Sequence, residues 1–320
     1  MQAEFFCLHF LKVFMNKKIL KIIFVNILFI VILSLVFECF FYIKDVNFYN
    51  KKLSVKNIHY SLRKDKFENK FNSDFKIEMR KPVGLKYKKK KPVLLLGCSY
   101  AYGQFLDEKD TLGYRISEKS KRPVYNWGYP AWGIQHAYYI VRNMPKISPE
   151  PEYVFYIFMN DHLRRMYINC FREDYAENLQ YKIKDGILIK KDNRNNIFDN
   201  SHFLVNLKNF VLYFYKKSKN SQNLFKTYVH SLNDEVKEFY PNSKFVVLVF
   251  DKNNKKWKLP YKIMDELKQE GIEVIYLNDL TNIDFSKDEF RLSKEKDYFR
   301  HPNGNAWEIT AKSLIKEFGL

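Results

Sequence analysis

Glycine, proline and cysteine are scarce in this chain of 320 residues, which contains 10, 10 and 4 of them, respectively. The low glycine and proline content excludes a collagen-like chain, and no repeat of about 20 to 50 residues is present. The cysteines lack the spacing of metal ligands, so the sequence indicates no metal site. Aromatic residues make up 18% of the chain, too much for most of it to stay disordered in water.

Acidic residues are also few: 36 Asp and Glu stand against 55 Lys and Arg, and the formal net charge is +19. A chain this basic invites comparison with nucleic-acid-binding proteins. No nucleic-acid-binding module is recognisable in it, however, and the basic residues are spread along its length. We therefore predict no nucleic-acid partner. The charge suits either a protein held at an anionic envelope surface or a general compositional bias.

A long apolar run lies near the N-terminus, at residues 22–43. An apolar stretch of about 18 residues or more can cross a bilayer as a helix. The run is longer than the apolar part of a cleavable signal peptide and does not end in small residues. The sequence therefore predicts a transmembrane helix at 22–43 after a basic tail at 1–21, with a signal peptide or a buried helix as the alternatives.

Lysines flank the predicted span on both sides, so the positive-inside rule does not orient it. A short basic tail before a long domain resembles a signal anchor, which would place the domain outside the cytoplasm, in the periplasm or at the cell surface. Residues 44–91 are predicted to be a lysine-rich linker, whose last four lysines are either solvated or in contact with anionic lipid or glycan. Cys98 and Cys170 could form a disulfide bridge, and the sequence leaves this open.

The rest of the chain, residues 92–320, alternates short apolar runs with segments of helical spacing. Such alternation predicts a mostly parallel five-stranded sheet with helices on both faces. A lid or side element is predicted at about 163–223, because Asp185-Gly186 between alternating apolar residues is typical of a hairpin. The predicted strands are 92–97, 123–126, 153–159, 244–250 and 273–277, and the predicted helices are 111–119, 135–143, 224–239, 263–269 and 306–318.

Four polar segments lie where a ligand-binding or catalytic site is expected. In an open parallel sheet, ligands bind beyond the carboxyl ends of the strands. Three of the segments follow the first three predicted strands, and the fourth precedes the last helix. They are Gly97–Gly103 (GCSYAYG), Asn126–Gly133 (NWGYPAWG), Met159–His162 (MNDH) and Asp297–Gly304 (DYFRHPNG).

Together these segments resemble the motif blocks of the SGNH/GDSL hydrolase superfamily, and the resemblance extends over residues 92–320. It implies a flavodoxin-like three-layer α/β/α sandwich that works as a serine esterase. It also implies that Ser99 is the nucleophile and that His301 is the general base. Asp297 would orient His301 and stabilise its cation.

The resemblance further implies three donors for the oxyanion: the Ser99 backbone N–H, the Asn160 side-chain amide and the backbone N–H of Ala131. The family has glycine at the Ala131 position, and alanine disfavours the positive φ that glycine allows. Gly133 is therefore an alternative donor.

Other positions depart from the family pattern or leave alternatives open. Cys98 stands where the family has aspartate. Asp297 precedes His301 by four residues instead of the usual three, so either the loop has one extra residue or the enzyme works as a Ser–His dyad. Asp161 and His162 could form a second catalytic pair, but we expect them to cap the following helix or to bind neighbouring loops.

Aromatic residues are concentrated around the same segments. They either pack in the core or form a sugar-stacking platform at the cleft, and they are Tyr100, Tyr102, Trp127, Tyr129 and Trp132. His136 is expected on a helix surface.

The function expected from the sequence is that of a membrane-anchored serine esterase acting on an acyl ester, with O-acyl groups on envelope carbohydrate as one substrate class. The alternatives are an O-acyltransferase on the same scaffold and an inactive domain that binds glycan or a protein partner. No metal or organic cofactor is indicated, and the sequence does not specify an oligomeric state.

Overall fold

The computed structural model describes residues 21–22, 24–26, 28–29, 32–33, 36–37, 66–71, 75–166, 181–184, 187–190, 219–250, 259–293 and 301–320. The predicted membrane span therefore lies largely outside the described residues. Its described members are helical, and their apolar side chains are exposed, by 41% at Phe37 and up to 67% at Phe24. Within the described residues, no helix is both long enough and apolar enough to cross a membrane.

The chain divides into two compact units. One unit contains Met1–Leu53 and Asn195–Phe210, and the other contains Ser54–Arg194 and Val211–Leu320. The strands of the second unit are β1 (Lys66–Phe71), β2 (Phe75–Arg80), β3 (Val93–Gly97), β4 (Val124–Gly128), β5 (Tyr153–Phe158), β6 (Tyr181–Lys184), β7 (Ile187–Lys190), β8 (Lys244–Val249) and β9 (Glu273–Tyr276). Its helices are α1 (Ser99–Tyr102), α2 (Leu112–Ser120), α3 (Ile134–Asn143), α4 (His162–Arg165), α5 (Lys219–Phe239), α6 (Leu259–Gln269), α7 (Leu277–Thr281) and α8 (Gly304–Phe318).

A five-stranded sheet in the order β4–β3–β5–β8–β9 forms the centre of this unit, and every neighbouring pair is parallel. The chain starts in the interior of the sheet, steps outward to β4 and then builds in the other direction. This is the strand order of a flavodoxin-like doubly wound sheet. The predicted parallel five-stranded sheet is thus confirmed.

Two apolar cores cover the two faces of the sheet. Within β3, Leu94 and Leu96 face one core, while Val93 and Leu95 face the other. The first core includes residues of α3, α5 and α6, and the second includes residues of α2, α7 and α8. Because both faces are buried, the central strands are continuous apolar runs without polar alternation. The result is three layers, with the sheet between two sets of helices.

Side-chain caps and glycine fix the ends of the outer helices. The Thr111 hydroxyl accepts a hydrogen bond from the Tyr114 N–H at the start of α2, at 3.3 Å. The Asn303 side chain does the same for the Ala306 N–H at the start of α8, at 3.0 Å. The last helix ends at Gly319, in the left-handed conformation that favours glycine.

A β-hairpin within the predicted insertion matches the sequence pattern. β6 and β7 pair in antiparallel fashion, and the Asp185-Gly186 turn lies outside the described residues. Leu188 is buried against the first core, whereas Ile187 on the other face is 66% exposed. The rest of the insertion between α4 and α5 lies outside the described residues.

Part of the segment predicted as a linker is structured. β1 and β2 form an antiparallel hairpin, and Met79 is buried in the first core. Val83 pairs with Val124 through two backbone hydrogen bonds of 3.0 Å. Since β4 is the edge strand, this contact satisfies backbone groups that the sheet itself leaves unpaired.

Candidate active site

Ser99 is the first residue of α1 and lies directly beyond the carboxyl end of β3. The chain leaves the strand through Gly97 at φ +147°, where a Cβ would lie 3.0 Å from the Ile157 carbonyl oxygen and 3.1 Å from the Ala101 Cβ. The short helix ends at Gly103, with φ +71°. Glycine on both sides of α1 therefore permits a tight turn that presents Ser99 at the edge of the sheet.

Arg80, the last residue of β2, holds the loop that follows Ser99. Its Nε donates to the Tyr102 carbonyl at 2.5 Å, and its Nη2 donates to the Gly103 and Leu106 carbonyls at 2.8 and 3.0 Å. The guanidinium also lies over the Tyr102 ring, 4.8 Å from the centroid. A helix of a single turn has little stability of its own, so these contacts fix its position. Nothing in the lysine-rich sequence around Arg80 signalled this role.

His301 approaches Ser99 from the segment before α8, although 202 residues separate the two in sequence. The distance between His301 Nε2 and Ser99 Oγ is 2.8 Å. Both residues are buried, with exposures of 6% and 4%. The His301 ring has edge contacts with the rings of Tyr100 and Phe105, at centroid distances of 5.0 and 5.6 Å. Its backbone is fixed as well, since the Leu292 N–H donates to the His301 carbonyl at 2.9 Å.

This pairing is the arrangement that a nucleophilic serine requires. A serine hydroxyl is a weak nucleophile until a base within hydrogen-bond reach takes its proton, and an imidazole nitrogen at 2.8 Å is within that reach. Asp297, the residue predicted to orient His301, lies outside the described residues.

The second motif block forms a tight turn after β4. The Trp132 N–H donates to the Tyr129 carbonyl at 3.2 Å, and Ala131 has φ +68°. Proline at the second position and a positive φ at the third are typical of a type II turn, in which glycine is the usual third residue. Ala131 thus adopts a conformation in which glycine is the usual residue. Its N–H makes no hydrogen bond within the described residues.

The alternative donor, Gly133, is already engaged. Its N–H donates to His136 Nδ1 at 3.1 Å, at the start of α3. The prediction that His136 lies on a helix surface is wrong, because its side chain turns back to this N–H and stacks on Trp132, with ring centroids 5.4 Å apart and only 6% of the residue exposed. Ala131 therefore remains the candidate donor of this turn.

Asn160 follows β5 and is buried, with an exposure of 8%. Its Oδ1 is buried and has no hydrogen-bond partner among the described residues. At the ends of the strands, Gly97 pairs with Gly128 on one side and with Ile157 on the other. Ser99 comes two residues after Gly97, Ala131 comes three after Gly128, and Asn160 comes three after Ile157. These three predicted site residues therefore all follow paired positions at the carboxyl ends of neighbouring strands.

Asp161 and His162 do not form a catalytic pair. Asp161 Oδ2 accepts a hydrogen bond from Arg165 Nε at 2.8 Å. His162 is fully buried, and its Nδ1 is hydrogen-bonded to the Tyr156 hydroxyl at 2.6 Å. Burial lowers the pKa of His162 well below its ordinary value, so its ring is neutral at neutral pH. The side chains thus bind Arg165 of the same helical turn and Tyr156 of β5, and the predicted helix-capping or loop-binding role stays a prediction.

Core packing accounts for most of the aromatic residues near the site. Four of the five have exposures of 7% or less, and they are Tyr100, Tyr102, Trp127 and Trp132. A sugar-stacking platform built from these four is therefore excluded. Tyr129 is partly exposed and packs against Trp132, with ring centroids 5.2 Å apart.

Cys98, which replaces the aspartate of the family pattern, is a buried free thiol. Its Sγ lies 3.4 Å from Met159 Sδ. Its side chain does not cap α1. Cys170, the other cysteine considered for a bridge, lies outside the described residues.

The fold is similar to those of several solved esterases and lipolytic proteins. One, from Desulfitobacterium hafniense DCB-2, is described as lipolytic and of the G-D-S-L family; it is 10% identical over 71% of this chain and 99% of that chain, with a TM-score of 0.44. An acetyl xylan esterase from the rumen bacterium Butyrivibrio proteoclasticus is 8% identical over 76% and 67%, with a TM-score of 0.44. A family 3 carbohydrate esterase from Clostridium thermocellum is 13% identical over 71% and 94%, with a TM-score of 0.39.

No protein-family profile matches the sequence, and no curated protein matches it.

Proposed function

We propose that this protein is a serine-dependent acyl esterase of the SGNH type, with Ser99 as nucleophile and His301 as general base. The observation that carries the proposal is the 2.8 Å distance between Ser99 Oγ and His301 Nε2 in a buried position beyond the carboxyl end of β3. The Asn160 amide and the Ala131 N–H, which follow neighbouring strands, support it further. A serine and histidine pair next to hydrogen-bond donors is suited to acyl transfer.

In this mechanism Ser99 Oγ attacks the carbonyl carbon of the ester while its proton moves to His301 Nε2. The negative charge that forms on the carbonyl oxygen is stabilised by the backbone N–H groups of Ser99 and Ala131 and by the Asn160 amide. The C–O bond to the alcohol then breaks, and His301 returns the proton to the leaving oxygen. Water attacks the acyl-serine by the same route in reverse, which releases the acid and restores the hydroxyl.

Asp297 is proposed to accept a hydrogen bond from His301 Nδ1, which would keep the proton off Nε2 in the resting state. A Ser–His dyad is the alternative. Asp297→Asn distinguishes the triad from the dyad. If Asp297 sets the tautomer of His301, its replacement by an amide is expected to lower kcat by about 10⁴-fold. A dyad would retain nearly the full rate.

The acyl ester is the substrate class that the site supports, and acyl groups on carbohydrate remain a narrower proposal within it. Burial of four of the five aromatic residues near the site removes one argument for a sugar acceptor. An O-acetylated sugar and a simple acetyl ester, compared at equal concentration, would test it. A higher kcat/KM for the sugar ester would support a carbohydrate substrate.

We also propose that residues 22–43 anchor the protein in a membrane, with the domain outside the cytoplasm. Support comes from the length of the apolar run and from the exposed side chains of its described members. Alkaline extraction of membranes from cells that make the full chain tests the anchor, and the anchored protein would stay in the pellet. Protease added to intact cells would then digest the domain only if it lies outside the cytoplasm.

The central experiment uses the full chain in detergent with p-nitrophenyl acetate. Ser99→Ala and His301→Ala are each expected to reduce kcat by about 10⁴-fold or more, since members of such a unit fail together. Ser120→Ala is the matched control: Ser120 is buried, its hydroxyl has no partner among the described residues, and it ends α2. Equal turnover by Ser99→Ala and Ser120→Ala would refute the proposed function.

A further inference from the structure

We propose that Arg165 is a positioning residue that fixes the separation of two oxyanion donors, the Asn160 amide and the Ala131 N–H. The inference rests on the proposed function, because it concerns the same site. Arg165 does not touch the reacting atoms. It acts through the loop that carries each donor.

Arg165 ends α4, the single turn of helix that begins two residues after Asn160. Its Nη1 donates to the Trp132 carbonyl at 2.8 Å, and its Nε donates to Asp161 Oδ2, also at 2.8 Å. Trp132 and Asp161 directly follow Ala131 and Asn160 in sequence. One guanidinium thus bridges the two residues that adjoin the donors.

A second hydrogen bond runs in the opposite direction between the same segments. The Gln135 Nε2 donates to the Arg165 carbonyl at 2.6 Å. At Gly133, a Cβ would lie only 3.0 Å from the Arg165 Cβ and 2.6 Å from Gln135 Oε1. Arg165 therefore packs against Gly133, directly after the turn that carries Ala131, so packing as well as hydrogen bonding couples the two segments.

Burial makes the bridge strong. The Arg165 side chain is only 10% exposed, and its partner Asp161 is 18% exposed. A hydrogen bond from an ionised donor in a buried site is stronger than a neutral one in water. Removing the guanidinium would leave the Asp161 carboxylate without this ion-pair partner, and the Trp132 carbonyl would lose a donor.

The backbone of Ala131 gives this bridge a second role. A non-glycine residue at φ +68° is strained and keeps that conformation only when its surroundings impose it. Pro130 restricts the turn from one side, and the Arg165 bond to the Trp132 carbonyl holds it from the other. Loss of the bond would let the Ala131 N–H move away from the oxyanion.

Arg165→Lys tests the proposal, because a single ammonium cannot reproduce the two directed bonds of the planar guanidinium. The full chain is assayed with p-nitrophenyl acetate. We expect kcat to fall by about 10- to 100-fold, the effect of displacing a catalytic group by about 1 Å, while KM changes much less. Arg142→Lys is the matched control, since Arg142 pairs with Glu235 and the Tyr138 hydroxyl on α3 and should leave kcat unchanged.

A double-mutant cycle with Asn160→Ala separates positioning from a purely structural effect. If Arg165 acts through both donors, Arg165→Lys will lower kcat less in the Asn160→Ala background than in the wild type, because only the Ala131 N–H is then left to be displaced. Equal fold-losses in the two backgrounds, or an unchanged kcat in Arg165→Lys, would overturn the proposal. Melting temperatures of all variants show whether any loss follows from unfolding.

If Arg165→Lys does not fold, Gln135→Met tests the same connection from the other side. It removes the bond to the Arg165 carbonyl and keeps the arginine. We expect a several-fold lower kcat that is again non-additive with Asn160→Ala, and an unchanged kcat would overturn the proposal. Ser99→Ala separates a failure of the proposed function from a failure of this inference. If Ser99→Ala retains full activity, the proposed function is wrong. If Ser99→Ala is inactive but the Arg165 and Gln135 variants keep full activity, only this inference is wrong.

Discussion

Two neighbouring loops leave the carboxyl edge of the sheet, and they differ in which residues adopt a positive φ. The loop after β3 carries Ser99, the loop after β4 carries Ala131, and the two strands end at paired glycines. In the first loop, glycine occupies the two positions of positive φ that flank α1, with Gly97 at +147° and Gly103 at +71°, and Phe105 beyond them has φ +68°. In the second, the positive φ falls on alanine, at +68°.

The difference shows where the conformation of each loop originates. Glycine adopts positive φ without a steric penalty, so the conformation of the turn at 97–103, which carries Ser99, is encoded largely by its own sequence. Alanine pays about 1 to 2 kcal/mol there. The Ala131 turn therefore depends on neighbours: its own Trp132–Tyr129 hydrogen bond, and the bond from Arg165. The turn around Ser99 is locally specified in its conformation and is positioned by Arg80, whereas the Ala131 turn needs tertiary contacts to keep its conformation.

The largest of the three effects that test this comparison is expected for Asn160→Ala. Asn160 is the proposed side-chain donor, and loss of one such donor lowers kcat by about 10²- to 10³-fold. The measurement is kcat with p-nitrophenyl acetate. Asn143→Ala, which removes an exposed amide bonded to the Tyr139 carbonyl, serves as control. A kcat within a few-fold of the wild type would mean that Asn160 is not a donor.

An intermediate effect is expected for Gly103→Ala, which tests the locally specified loop. A Cβ there would lie 2.6 Å from Thr111 Cγ2 in addition to the positive φ. Overpacking of this kind typically destabilises by about 1 to 3 kcal/mol, and backbone strain adds to it. Gly271→Ala has φ +87° but meets nothing within 4 Å, so it isolates the strain. Urea unfolding should rank Gly103→Ala clearly below Gly271→Ala, and equal stabilities would contradict the proposed crowding.

The smallest effect is expected for Ala131→Gly. Relief of about 1 to 2 kcal/mol of strain is partly offset by the greater freedom that glycine gives the unfolded chain. We predict a gain of up to about 1 kcal/mol in the free energy of unfolding, with kcat kept within a few-fold, because the N–H is retained. Urea unfolding and the esterase assay measure the two quantities. A loss of stability would show that the turn does not need a positive φ at this position.

Much of the scaffold was predictable because both faces of the central strands are buried. Burial of both faces makes each strand a continuous apolar run, as in β3 and β5, and such runs are visible in sequence. The approach of His301 to Ser99 could be anticipated only through the order of the motif blocks. No local pattern specifies a contact between residues 202 positions apart.

Other features had no local signal, because their partners are backbone atoms of distant segments. The sequence predicts His136 on a helix surface, but its side chain is buried, where it accepts a hydrogen bond from the Gly133 N–H and stacks on the Trp132 ring. Arg80 looked like one more basic residue in a polar linker. The pairing of Asp161 with Arg165, four residues apart on a helical turn, could have been found from sequence, since that spacing brings opposite charges together.

The hydrogen bonds from Arg80 to the loop that follows Ser99 bear on how this sequence can change over evolutionary time. Its three acceptors are main-chain carbonyls, those of Tyr102, Gly103 and Leu106. A carbonyl is present whatever side chain a position carries. Substitutions at Tyr102 or Leu106 that keep the backbone path would therefore leave these bonds intact. The three bonds that hold the loop beside Ser99 therefore do not depend on the identity of its side chains, whereas the contact of the guanidinium with the buried Tyr102 ring does.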